Sequence, residues 1–87
     1  MVSQEFTVQN PTGIHARPAS MLVQLCSKLS DDISILTDTG KSVNPKNILS
    51  VLMGGMSKGM KITVKVEGEN EEESLKKIME LLESFKE

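Results

Sequence analysis

Tryptophan and tyrosine are absent from this 87-residue chain, and Phe6 and Phe85 are its only aromatic side chains. Ten basic residues against twelve acidic ones leave a formal net charge of −2. A chain with no basic field and almost no rings lacks the means to bind nucleic acid through a charged groove lined with stacking platforms. Cys26 is the single cysteine, so no internal disulfide can form. His15 is the single histidine, which excludes a two-histidine metal site, and no other cluster of metal-binding side chains replaces it. No apolar run approaches membrane-spanning length, and the opening Met1-Val2-Ser3-Gln4-Glu5-Phe6 lacks the basic flank and apolar stretch of a secretion signal. A chain of this length forms one domain, residues 1–87, with one core and no room for a deep substrate cavity. Its function is therefore expected at the surface, in the cytoplasm, against a larger partner, with no cofactor and no membrane insertion.

What is present is a clear alternation of element types. Val2, Gln4, Phe6 and Val8 fall on one side of a strand over about residues 2–8, which ends at the turn cluster Asn10-Pro11-Thr12-Gly13. A helix is predicted from Ala16 to about Leu29, because Ala19, Leu22, Cys26 and Leu29 recur at spacings of three and four. Pro18 then lies in its first turn, where the missing N–H breaks no hydrogen bond. Cys26 lies on the apolar stripe and reads as a buried, unreactive thiol. Ile33 to Thr37 and Lys41 to Val43 read as a hairpin reversed at Asp38-Thr39-Gly40. Residues 48–53 read as a short helix capped by Asn47 and stopped by Gly54-Gly55, with about half of it buried. Ile62, Val64 and Val66 mark a last strand with one dry face. Asn70 and Glu73 suggest a capping box for a final helix with Leu75, Ile78, Met79, Leu82 and Phe85 as its apolar stripe. The order β-α-β-β-short α-β-α gives an α+β fold with a four-stranded, mainly antiparallel sheet covered on one side by helices.

The chemistry concentrates in Gly13-Ile14-His15-Ala16-Arg17-Pro18-Ala19. Gly13 permits a turn that other residues resist, and Pro18 presets the first helical turn. His15 then stands at or beside the N-cap, next to the amides of Ala16 and Arg17. Those amides and the helix dipole attract an anion. The same positive end disfavours imidazolium and leaves the imidazole neutral and nucleophilic. Arg17 offers paired donors to phosphate oxygens. A neutral imidazole beside such an anion site is the equipment for a phosphohistidine.

This heptad closely resembles the active-centre motif of HPr, the phosphocarrier of the bacterial phosphoenolpyruvate-dependent sugar phosphotransferase system. The likeness extends through the element order to Ser57-Lys58-Gly59 before the last strand. It implies the open-faced β-sandwich of that family. It also implies a phosphoryl group taken by His15 at Nδ1 from phosphorylated enzyme I and passed to an enzyme IIA component, by a monomeric carrier rather than an enzyme. A docking patch of Ala16, Ser20, Ile48, Leu49, Leu52 and Met53 follows from the same likeness. Where many family members carry a regulatory serine at the start of the short helix, this chain has Asn47, which implies that the kinase-dependent switch is missing. Val51-Leu52-Met53 and the hairpin length look somewhat like the nitrogen-related branch of the system, so the enzyme IIA served stays open. Two other readings compete: a regulatory or interaction module of the same fold without phosphoryl flux, and an unrelated ferredoxin-like ligand- or RNA-binding domain. The short helix at 48–53 and the terminal helix do not fit the second, and relatives of the first kind lack the histidine.

Overall fold

The computed structural model describes residues 1–85, arranged as β1 (Val2–Thr7), α1 (Ala16–Ser27), β2 (Asp32–Thr37), β3 (Ser42–Val43), α2 (Ile48–Met53), β4 (Lys61–Glu67) and α3 (Glu71–Ser84). All seven elements occur in the expected order, and every strand pairing is antiparallel. The sheet order is β1-β4-β2-β3, so the last strand in sequence lies between the first two. Phe6 pairs with Ile62, and Thr37 pairs with Ile62 from the other side, which aligns the dry faces of β1, β4 and β2.

The alternation in β4 is complete, with Ile62, Val64 and Val66 buried between exposed or half-buried neighbours. It is weaker in β1, where Val2 and Phe6 are only half-buried and Gln4 is exposed although all three share the inward side. An edge strand is covered less well by the helices than a central one. Leu22 and Cys26 of α1 and Ile78 and Leu82 of α3 meet Ile35 and Val64 of the sheet in one core cluster. The outer sheet face carries Glu5, Thr63, Lys65 and Ser34 and has no helix over it, as an open-faced sandwich requires.

Three local expectations are corrected. First, α1 ends at Ser27 rather than Leu29, because the amides of Lys28 and Leu29 turn to the carbonyls three residues back, at 3.1 Å each. Second, the capping box of α3 does not form: Asn70 is the N-cap but its side chain makes no cap hydrogen bond. The buried Asp31 carboxylate takes that role from across the fold, accepting from the Ser74 hydroxyl at 2.8 Å and from the Asn70 N–H at 3.4 Å. Third, of the six residues of α2 only Val51 is buried. One short helix at the margin of the layer needs a single anchor, and the rest of its apolar surface faces outward.

Candidate functional site

His15 is the N-cap of α1, with extended backbone angles (φ −94°, ψ −160°), and its carbonyl accepts the first helical hydrogen bond from Ala19 N–H at 2.8 Å. Pro18 occupies the third helical position and has no N–H, so the amides of Ala16 and Arg17 are the ones this helix end presents. Pro18 and Ala19 are buried, while Ala16, Arg17 and Ser20 are exposed. The helix is thus rooted on its inner side and offers its first turn to the outside. The His15 side chain is half-buried. Its Nε2 is buried with no hydrogen-bond partner.

The loop before His15 is held by two neighbours. Gly13 has φ +69°, a conformation that side chains resist, and a Cβ there would stand 2.6 Å from the Met56 carbonyl oxygen and 2.9 Å from Ser57 Cα. That closeness lets Ile14 N–H donate to the Met56 carbonyl at 2.8 Å. Within the loop, Gly13 N–H donates to the Asn10 carbonyl at 3.0 Å, and the Asn10 side-chain amide donates back to the Gly13 carbonyl. Farther along, Val8 and Met60 pair at 2.9 Å, and Gly59 donates to Val8 at 2.8 Å. The segment after α2 therefore forms the bed on which the His15 loop lies.

The expected patch residues on α2 are all exposed: Ile48 42%, Leu49 62%, Leu52 45% and Met53 68%. Met21 of α1, 44% exposed, belongs to the same group of large exposed apolar side chains, and α1 and α2 pack together. The sequence pattern did not single out Met21. Its position off the stripe of Leu22 and Cys26 was the available signal. Exposed apolar side chains are thus concentrated on two adjacent helices. Asn47 caps α2, its side-chain oxygen accepting from Ser50 N–H at 3.1 Å.

Cys26 is fully buried, and burial pushes its thiol up to about 12, opposed by the nearby Lys46 ammonium. The thiolate, the reactive form, is thereby suppressed. Among the described residues no group of histidine, cysteine or carboxylate side chains is arranged to hold a metal. Among the same residues no helix is long and apolar enough to cross a membrane. Asn10, Asp31 and Met56 were not selected from the sequence. Asn10 bonds within its own Asn10-Pro11-Thr12-Gly13 turn, whereas the partners of Asp31 and Met56 are set by the fold.

A family model described as the PTS HPr component phosphorylation site matches residues 2–84. The structure of HPr-C-His from Thermoanaerobacter tengcongensis is 39% identical, covers 97% of this chain and 93% of its own, and superposes with a TM-score of 0.90. HPr of Bacillus anthracis str. Ames is 34% identical, with 92% of this chain and 94% of that one covered and a TM-score of 0.85. Crh, the catabolite-repression protein of Bacillus subtilis, solved as a dimer with a swapped domain, is 35% identical over 95% of this chain and 94% of its own, at a lower TM-score of 0.73. The resemblance carried by the heptad around His15 thus extends to the whole fold: the chain belongs to the HPr family, the phosphocarriers of the phosphotransferase system.

Proposed function

We propose that His15 is the phosphoryl acceptor of this carrier, receiving the group at Nδ1 from phosphorylated enzyme I and passing it to an enzyme IIA protein. The observation that carries this reading is the placement of a half-buried His15 as N-cap of α1, with Nε2 buried and Ala16 and Arg17 exposed beside it. Attack by the Nδ1 lone pair requires the ring proton on Nε2, the nitrogen that no solvent or reactant reaches. The new N–P bond forms as the donor's bond to phosphorus breaks, and the electron pair of that bond stays with the donor. Little else is asked of the carrier, since phosphoryl transfer depends mainly on in-line positioning and charge stabilisation. The Arg17 guanidinium and the Ala16 and Arg17 amides supply that stabilisation, because an anion at a helix N-terminus meets both N–H donors and the positive end of the dipole.

Docking falls to the exposed apolar surface of α2, Ile48, Leu49, Leu52 and Met53, with Ala16 and Ser20 beside His15. The protein acts as a stoichiometric carrier and passes through a phosphohistidine. It works as a cytoplasmic monomer, with no metal, cofactor, nucleic acid or membrane involved, and residues 1–87 serve as one HPr-like domain. Asn47 in place of the regulatory serine keeps the cap and removes the hydroxyl, so kinase control is absent. The likeness to Crh supports one alternative, an interaction module of the same fold without phosphoryl flux.

Incubation with labelled phosphoenolpyruvate and enzyme I separates the two. An acid-labile, base-stable label on the wild type and none on His15→Ala is the expected result, and adding enzyme IIA proteins then identifies the branch served. No label on the wild type, from an enzyme I active on another HPr, would refute the carrier role and favour the interaction module.

A further inference from the structure

The peptide plane between Gly13 and Ile14, one residue before His15, is held at both poles. Its N–H, that of Ile14, donates to the Met56 carbonyl at 2.8 Å. Its oxygen, that of Gly13, accepts from the Asn10 side-chain amide. Asn10 is 3% exposed, and Gly13 and Ile14 are buried as well, so solvent cannot take over the contact. The main-chain bond from Gly13 N–H to the Asn10 carbonyl, at 3.0 Å, already closes the loop without any side chain. The Asn10 amide therefore adds something other than closure: it sets the tilt of the Gly13–Ile14 plane, and with it the direction in which the chain enters the His15 cap.

We infer that Asn10 is a positioning residue for phosphoryl transfer, aiming the His15 ring through the Gly13–Ile14 peptide. The inference rests on the carrier reading of His15. A carboxamide is suited to this place because it donates while staying uncharged, whereas a carboxylate of the same shape can only accept and would face the Gly13 carbonyl lone pairs. Misplacement of a reacting group by about 1 Å can cost on the order of a hundredfold in rate. Docking should be spared, since the exposed patch of α2 makes no use of the Asn10 amide.

The test is enzyme I-dependent phosphorylation of wild type, Asn10→Ala and Asn10→Asp, followed against carrier concentration, with urea unfolding of each variant alongside. The expected result for both folded variants is a kcat lowered about tenfold or more, with KM within about twofold of wild type. A kcat within twofold of wild type in either variant overturns the inference, as does a rise in KM at constant kcat, which would make Asn10 a docking residue. Failure of the wild type to take label would instead overturn the carrier reading on which this rests. Hydrogen exchange on the wild type needs no variant. Ile14 N–H should exchange as slowly as the core amides of β4, and exchange at the rate of an open loop would refute a held peptide plane.

Discussion

Replacing Gly13 by alanine should destabilise the protein by more than the same change at Gly40, and the difference measures how tightly the His15 loop is pressed on its neighbour. Both glycines have positive φ, +69° and +88°. Each alanine therefore incurs the left-handed cost of about 1–2 kcal/mol, partly offset by about 0.4–1 kcal/mol from a more restricted unfolded chain. At Gly40 nothing lies within 4 Å of the new methyl group, so that is the whole effect. At Gly13 the methyl group meets the Met56 carbonyl oxygen at 2.6 Å and Ser57 Cα at 2.9 Å, both main-chain atoms that no rotamer change can move. The two segments must separate, which strains or breaks the buried bond from Ile14 N–H to that same carbonyl. Loss of a partner by a buried amide costs about 1–3 kcal/mol. The expected totals are about 2–4 kcal/mol for Gly13→Ala and about 1 kcal/mol for Gly40→Ala, read from urea unfolding of the two variants and the wild type. Equal losses for the two would show that the loop is not seated on residues 56–57, and the account of how His15 is held would fall with it.

Two further outcomes can be measured on the same material. Burial holds the Cys26 thiol neutral up to about 12. Once the pH passes the range of an unfolded thiol, the unfolded chain releases its proton while the folded one keeps it, and stability falls by up to about 1.4 kcal/mol per pH unit until the folded thiol also ionises. Cys26→Ala removes this contribution, so its stability deficit relative to wild type should shrink between pH 9 and the folded value of about 12, and a gap that stays constant would contradict the burial. On α2, Leu49→Gln should leave stability within about 0.5 kcal/mol, because the side chain is 62% exposed, yet raise the KM for enzyme I severalfold. An unchanged KM would remove Leu49 from the docking face.

Much of this protein was legible in its residue pattern. The stripe Ala19, Leu22, Cys26 and the alternation Ile62, Val64, Val66 each specify an element, since a helix and a strand repeat their inner face with different periods. The heptad around His15 likewise places the histidine at the helix start, because Gly13 allows the turn and Pro18 is tolerated only in the first turn. Local chemistry was misleading where a distant group was available. Asn70 and Glu73 are spaced for a capping box, but Asp31, 43 residues before Ser74 in its hydrogen bond, reaches the start of α3 instead. For α2, apolar composition suggested more burial than one anchoring valine, because composition does not say whether a short helix lies over the sheet or at its margin.

By itself, then, the sequence determined the elements, their order and the place of His15 at the start of α1. All of these depend on neighbours within a few positions along the chain. The insertion of β4 between β1 and β2, the seating of the His15 loop on Met56 and the burial of Nε2 were decided by the tertiary structure alone. The first two join segments separated by tens of residues, and which partner wins such a contact depends on what the rest of the fold brings within reach.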